Sequence, residues 1–232
     1  MRRKELGKRR SSEHTAGANE TDVVGGRTTV ALPKPSLGRG TAIDAALRRR
    51  KTTRSISERG LSLQALSNLL WSACGINRKA GPFGIPGRTA ASASNSQEID
   101  LYVALQAGAY RYEPTSHALV PIVAEDLRAL AIGRGQGKAS AKAPVRLIYV
   151  ADIGKFAKAG FQEPGLWDLE TQKSCYYVDT GLIAENVYLF AASHGLAAWF
   201  HNCDRAELST RLKLSADQRV LFGQTIGYAA KS

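Results

Sequence analysis

The segment RRRKTTR, residues 48–54, holds five positive charges within seven residues, with two threonines among them. Arginine offers a planar pair of donors that suits a phosphate group, and a hydroxyl from Thr52 or Thr53 would add a further hydrogen bond. One interpretation is therefore a binding site for a small phosphate-bearing molecule. The other is a solvated helix end, because cations near a helix C-terminus complement the helix dipole. The segment alone leaves both interpretations open.

Two further segments carry residue types that suit a flat, polar ligand. RTAASASNSQEI, residues 88–99, has small residues that allow close backbone approach, and its Asn95 and Gln97 both donate and accept hydrogen bonds. SHGLAAWFHNCD, residues 193–204, has a glycine and small residues before a Trp–Phe–His run that could line a ring-binding wall. Each also has a purely structural interpretation, as a serine-rich turn and as a tight helix-to-strand connection.

Several familiar catalytic motifs are absent from the sequence. It has no G-x-S-x-G nucleophile elbow, no GxGxxG after a strand and no P-loop, although GRGQGKAS at residues 133–140 is glycine-rich. The three cysteines, Cys74, Cys175 and Cys203, show no metal-binding spacing, which favours reduced structural thiols. We therefore expect neither a protein nucleophile nor a metal site.

The net charge of +12 is concentrated in two clusters. Residues 1–10 and residues 48–54 each contribute +5, so the rest of the chain is nearly neutral. A duplex-binding protein would spread its cations along a groove, and stacking aromatics are not interleaved with the cations here, which disfavours a nucleic-acid partner. No apolar run reaches the roughly 18 residues of a membrane span. The basic start lacks the apolar core of a secretory signal, so we expect a cytoplasmic location, or a periplasmic one if the true start lies elsewhere.

The hydrophobic pattern predicts a single domain of interleaved helices and strands, which is the α+β class. Residues 1–40 are expected to form a disordered basic tail and an extended lead-in, and residues 41–232 to form the domain. The predicted helices cover residues 41–50, 61–75, 170–194 and 204–214, and the predicted strands include residues 100–105, 144–151 and 220–229, with a hairpin at 106–108 and a strand after Gly195.

Two of these helices carry clear local signals. Ser62 is a suitable N-cap and Gly75 a suitable stop for the second helix. In the longest helix, apolar side chains recur at helical spacing, and Gly195 ends the element. These apolar residues are Val178, Ile183, Val187 and Phe190.

In this order, the three chemistry-bearing segments resemble those of the FMN-dependent nitroreductase family, and most closely its SagB-type, or thiazole/oxazole dehydrogenase-like, branch. The likeness runs from about residue 41 to residue 228. RKTTR resembles the family's R-R/H-S-x-R/K segment, which grips the FMN phosphate and ribityl chain. TAASASNSQEI resembles the A-P-S-A-x-N-x-Q segment, which contacts the flavin from the partner subunit.

Two more segments extend the resemblance. HGLAAWFHNCD resembles the G-L-G-x-x-W/P loop over the isoalloxazine ring, and QTIGYAAKS resembles a terminal G-Y-P strand followed by a basic phosphate ligand. Carried over position by position, the resemblance implies a set of FMN-binding residues. These are Arg50, Lys51, Thr52, Arg54, Ser92, Ala93, Ser94, Asn95, Gln97, Gly195, Leu196, Ala197, Ala198, Trp199 and Lys231.

The resemblance also implies an architecture and an activity. The architecture is a mixed β-sheet flanked by helices, assembled as an intertwined homodimer with two FMN sites at the interface. The activity is hydride transfer between NAD(P)H, or an azoline-type donor, and a small-molecule acceptor through flavin N5. By the same likeness Arg54 would lie near the negative charge of reduced flavin, with Arg50 and Lys51 on the phosphate. No catalytic side chain is required, because the flavin carries the chemistry.

The sequence departs from the family pattern at three places. Ala91 and Ala229 stand where the family usually has proline. His201 and Asn202 stand beside the expected position of flavin N5, where many members have Glu-Gly. The third departure motivates an alternative hypothesis, a non-enzymatic flavin-binding or flavin-storage protein. A basic nucleic-acid-binding protein remains a less favoured third hypothesis.

Overall fold

The computed structural model describes residues 27–38, 40–133, 135 and 140–231. The basic tail that the sequence predicts to be disordered lies outside these residues up to residue 26, and most of the glycine-rich segment 133–140 lies outside them as well. The strands are β1 (Val30–Ala31), β2 (Ile76–Arg78), β3 (Gly87–Arg88), β4 (Ile99–Leu105), β5 (Gly108–Glu113), β6 (Ala118–Val123), β7 (Val145–Asp152), β8 (Ala197–His201) and β9 (Gln218–Gly227).

A seven-stranded sheet forms the centre of the domain, in the order β1-β6-β5-β4-β7-β9-β8. Neighbouring strands of this order pair antiparallel. A parallel bridge between Thr52 and Ala198 extends the sheet beyond β8, which gives it the expected mixed character. β2 and β3 form a separate two-stranded hairpin.

The α-helices in the described part of the chain are α1 (Ile43–Arg49), α2 (Leu63–Cys74), α3 (Leu169–Ser193) and α4 (Arg205–Arg211). The caps predicted for α2 are present: the Ser62 hydroxyl accepts from the Ala65 N–H, and Gly75 is the C-cap residue. α3 begins at an N-cap that was not predicted, where the Asp168 carboxylate accepts from the Thr171 N–H at 2.8 Å. Local side-chain chemistry therefore sets both helix starts.

The sheet has a core on each face. α2 and α3 pack on one face, against alternate residues of β4 and β7 such as Val103 and Tyr149. α4 and the segment around Leu127 pack on the other face, against Ile148 and Val150. Because neighbouring residues of a strand point to opposite faces, β7 supplies both cores and is buried almost throughout.

The predicted apolar face of α3 is corrected by the structure. Ile183, Val187 and Phe190 of α3 are buried as expected, but Val178 is 61% exposed. In α1 only Ala46 is buried. The buried stripe of α3 instead runs through polar residues such as Asp179 and Thr180, so the helix carries apolar residues on a face that the protomer leaves open. Within the residues that the structure describes, none of the helices combines the length and apolarity needed to cross a membrane.

Candidate functional site

The basic segment 50–54 lies against the C-terminal part of α3 and the edge strand β8. The Thr53 N–H donates to the Ala198 carbonyl oxygen at 3.0 Å, next to the Thr52–Ala198 bridge. The Thr52 hydroxyl lies 3.1 Å from the Tyr188 hydroxyl, and the Arg50 guanidinium lies over the Tyr188 ring at 5.4 Å. The fold thus brings together two sequence segments that are nearly 150 positions apart.

Tyr188 connects the basic segment to β8. Its hydroxyl accepts the Phe200 N–H at 2.8 Å in addition to its contact with Thr52. Sequence reasoning did not identify Tyr188, because a tyrosine on the buried side of a long helix is an ordinary core residue in a linear sequence. In the fold, this residue fixes the distance between the basic segment and the strand.

The cations of this segment have no acidic partners among the described residues. No described carboxylate lies within ion-pair distance of Arg50, Lys51 or Arg54. Arg54 lies over the Trp199 ring at 5.7 Å. The positive charge of this segment is therefore not neutralised by any described carboxylate.

The turn after α3 supplies the second wall of the site. Gly195 adopts a positive φ of 69°, and the Leu196 N–H closes the helix end on the Ala191 carbonyl oxygen at 2.8 Å. Glycine is favoured there because a Cβ would strain the left-handed conformation. The turn leads directly into β8, beside the basic segment.

A cleft of about 250 Å³ lies between the turn and the basic segment. It is lined by residues of α1, of α3, of the turn and of the basic segment, including Arg49, Lys51, Thr53, Tyr188, Gly195, Leu196, Ala197 and Ala198. Of the predicted cations only Lys51 is in this lining, and Arg49, which the resemblance did not assign, is the second cation there. Four of the predicted ring-contacting residues, 195–198, therefore line one cleft with Lys51. The fifth, Trp199, is buried beside Arg54 and His201 rather than in the lining.

The C-terminal residues close onto the same region. The Ser57 N–H donates to the Tyr228 carbonyl oxygen at 2.8 Å, and the Ala230 N–H donates to the Ser55 carbonyl oxygen at 3.0 Å. This pairing carries Lys231, which is exposed, alongside the basic segment. The last strand therefore delivers the predicted basic residue to the neighbourhood of Arg54.

The segment of residues 92–97 lies elsewhere in the protomer. The Ala93 N–H donates to the Asp179 carboxylate at 2.9 Å, in the middle of α3. Asp179 and Tyr188 are nine positions apart, which is about 13 Å along a helix axis. Within one protomer, the structure thus joins the basic segment, the glycine turn and the C-terminus, and it keeps residues 92–97 apart from them.

The backbone of residues 92–97 is strained. Ser94, Asn95 and Gln97 have positive φ values of 49°, 53° and 52°, in the left-handed region that non-glycine residues seldom adopt. The Gln97 side chain holds the loop by donating to the Pro86 carbonyl oxygen at 2.7 Å and to Asn95 Oδ1 at 2.9 Å. Ser94 Oγ and Asn95 Nδ2 are buried without a hydrogen-bond partner among the described residues. Such strain and unmet polar groups concentrate at functional sites.

His201 is held as a buried structural residue. Its Nε2 lies 2.8 Å from the Thr225 hydroxyl and its Nδ1 lies 2.9 Å from the Asn202 carbonyl oxygen. Burial lowers the pKa of His201 to about 4. The ring is therefore neutral at physiological pH and both of its nitrogens are engaged, whereas Asn202 is exposed.

The buried His201 predicts a specific pH dependence of stability. Between pH 6.5 and pH 4 the folded protein binds fewer protons at this residue than the unfolded chain. The contribution of the neutral His201 ring to the stability of the folded protein is therefore complete above about pH 6.5 and is lost as the pH falls through about 4. We expect His201→Gln to remove up to about 3 kcal/mol of this acid-side decline in the free energy of unfolding. Urea unfolding at pH 7 and pH 4 measures it, with the half-buried His194→Gln as the control. An equal fall in the free energy of unfolding between pH 7 and pH 4 in wild type and His201→Gln would contradict this prediction.

Comparisons with known proteins identify the family of the chain. The model of the nitroreductase family matches residues 47–228. A solved structure from Ralstonia eutropha JMP134, named as a nitroreductase, is 34% identical, with 90% of this chain and 95% of that chain covered and a TM-score of 0.77. A curated protein of Methanocaldococcus jannaschii, also named as a nitroreductase, is 27% identical over 165 residues, which are 66% of this chain and 75% of that protein.

A more distant structure shares the fold. In the microcin synthetase McbBCD complex of E. coli, the matching chain is 16% identical, with 86% of this chain and 75% of that chain covered and a TM-score of 0.64. Fold and matches together define an oxidoreductase-type α+β protein. The chain belongs to the nitroreductase family.

Proposed function

We propose that the protein is an FMN-dependent oxidoreductase that moves hydride between NAD(P)H and a small-molecule acceptor. One observation carries the proposal: Lys51 lines one cleft with the turn at Gly195, and no described carboxylate pairs with it. Arg50 and Arg54, equally without acidic partners among the described residues, lie over the neighbouring rings of Tyr188 and Trp199. An azoline-type donor in place of NAD(P)H is the narrower, SagB-type form, and the shared fold of the microcin synthetase chain is compatible with it.

The chemistry of the donor set fits FMN. A phosphate takes charge-assisted hydrogen bonds from arginine and lysine, and Thr52 adds a hydroxyl next to them. The small residues Gly195, Ala197 and Ala198 in the cleft wall allow a ring system to approach the backbone closely. The unmet polar atoms of Ser94 and Asn95 supply further hydrogen-bonding capacity in the second segment.

The residues of this chain then take distinct roles. Arg50, Lys51 and Lys231 hold the phosphate, and Arg54 lies where it favours negative charge on a reduced ring. When bound, FMN supplies hydride transfer at N5. His201 stays neutral and fully bonded, so we assign it a structural role beside the site rather than proton transfer.

A homodimer completes the proposed site. The open face of α3 exposes Val178 (61%) and Leu182 (43%), and α1, which packs on α3, exposes Ile43 (58%) and Leu47 (54%). Apolar side chains exposed together on packed helices are typical of a protein interface. A second copy on this face would bring its 92–97 segment towards the first copy's cleft, which resolves the separation of the two segments within one protomer.

The proposal predicts a yellow protein with one FMN per protomer, whose absorption near the flavin maximum is bleached by NAD(P)H under anaerobic conditions. The absorption spectrum before and after NADH, NADPH or an azoline compound measures both parts. A colourless protein that ignores added FMN would rule the proposal out.

A flavin-storage protein is the second candidate, and the buried, fully bonded His201 at the expected N5 edge favours it. It predicts that bound FMN is reduced by no nicotinamide or azoline donor, although chemical reductants still reduce it. Catalytic turnover with any nicotinamide or azoline donor would rule out a storage protein.

A further inference from the structure

Two buried carboxyl groups meet beneath the segment 92–97. Glu98 precedes β4 and is 0% exposed, and Asp179 lies on α3 and is 4% exposed. Both bond to the same short segment, Asp179 to the Ala93 N–H and Glu98 to the Ser96 hydroxyl, and each carboxyl group shifts the pKa of the other. Neither forms an ion pair within the described part of the chain. Two carboxyl groups in such contact need a proton between them, because the ionised pair repels.

Each carboxyl group also holds the strained segment. Asp179 Oδ2 accepts the Ala93 N–H at 2.9 Å, and Glu98 Oε2 accepts the Ser96 hydroxyl at 2.7 Å. The remaining oxygen, Glu98 Oε1, has no hydrogen-bond donor among the described residues. A proton shared with Asp179 would satisfy it. These contacts, together with the bonds of the Gln97 side chain, hold the left-handed residues between 93 and 98 in their conformation.

We propose that Glu98 and Asp179 share one proton, and that this proton makes them positioning residues which hold the segment 92–97 in its strained, cofactor-binding conformation. The inference rests on the proposed FMN function for its link to binding. Loss of the proton leaves two negative charges in a buried contact, so the segment loosens and the cofactor is held less tightly.

The charged groups around Glu98 and Asp179 do not compensate for loss of the shared proton. Lys155 lies 3.5 Å from the Gln97 carbonyl oxygen, but it pairs with Asp100 at 2.6 Å. Cys175 on α3 and Glu163 before α3 add no positive charge. Burial, together with the Asp179 charge, raises the pKa of Glu98 to about 7, and burial also raises the pKa of Asp179. The contribution of the protonated Glu98–Asp179 pair to the stability of the folded protein is therefore complete below about pH 4.5 and is lost as the pH rises through about 7.

The test compares wild type with Glu98→Gln and Asp179→Asn, which keep the side-chain shape and remove one charge each. Thermal unfolding of the FMN-free protein from pH 5 to pH 8 reports the shared proton without any cofactor. Titration with FMN over the same range reports the link to binding. Because a phosphate group itself titrates near about pH 6, each affinity is expressed relative to Glu98→Gln at the same pH. Glu170→Gln, an exposed carboxylate on the same helix, is the matched control.

We expect the wild-type dissociation constant for FMN to rise about fivefold from pH 7 to pH 8 relative to Glu98→Gln, as loss of one linked proton requires. Asp179→Asn should also flatten the profile, and Glu170→Gln should follow wild type. Identical pH profiles in wild type and both charge-removing variants would overturn the inference while leaving FMN function intact. A wild-type protein that binds no FMN at any pH would overturn the proposed function, and with it the link to binding.

Discussion

Replacing Arg50 and Arg54 together by alanine is expected to abolish FMN retention during purification. Arg50 lies over the ring of Tyr188, which lines the cleft, and Arg54 lies over the ring of Trp199, which follows the cleft residue Ala198. Neither has an acidic partner among the described residues, so their charge-assisted bonds would go to the phosphate and the reduced ring. Bonds of this kind contribute about 1.5–3 kcal/mol each. The FMN dissociation constant should therefore rise by roughly two to four orders of magnitude. Equilibrium titration followed by flavin fluorescence measures it.

The control removes the same two charges elsewhere. Arg48 is an exposed residue of α1, and Lys142 forms only an exposed pair with Glu58 at 3.6 Å. Arg48→Ala with Lys142→Ala should leave FMN binding within a few-fold of wild type, because isolated surface charges contribute little. Equal losses in both double variants would mean that net charge, and not the site at Arg50 and Arg54, retains the cofactor. Unchanged FMN occupancy in the Arg50→Ala, Arg54→Ala variant would contradict our placement of the FMN phosphate.

Introducing glutamate at Val178 and Leu182 is expected to convert a dimer into folded monomers that lack FMN. Burying side chains of this size is worth about 1.5–3 kcal/mol each, and a two-fold interface loses every such contact twice while it gains four buried charges. Association should weaken by more than about a thousandfold. Light scattering after size exclusion reports the mass, and circular dichroism confirms that the variant is folded.

The matched control places the same charges on the opposite side of the sheet. Ala206→Glu with Thr210→Glu adds two glutamates on exposed positions of α4, and this variant should stay dimeric and yellow. A Val178/Leu182 variant with wild-type mass would show that another surface forms the dimer. A monomer that still binds FMN would show that one protomer completes the site, against the proposed role of the partner's segment 92–97.

Elements with strong local signals could be predicted from the sequence. α2 has its N-cap at Ser62 and its C-cap at Gly75, and β7 is a short apolar run that is buried on both faces. β6 was not predicted, since it contains Pro121, which breaks a strand pattern. The strand tolerates this residue because the short β1 pairs only with Ala118 and Leu119, which leaves Pro121 on an open edge.

The sequence also determined the family, because the basic segment, the segment 92–97 and the glycine turn keep their order and residue types. It did not determine which of their side chains meet. That Thr52 contacts Tyr188, that His201 is buried against Thr225 and that Glu98 meets Asp179 depend on residues 24 to 136 positions apart. Hydrophobic periodicity reports only which side of an element is apolar, and the buried stripe of α3 contains Asp179 and Thr180. Only the packing of α3 on the sheet decided that Val178 faces outward and that two carboxyl groups share one buried contact, since burial is a property of the assembled fold and not of any local segment.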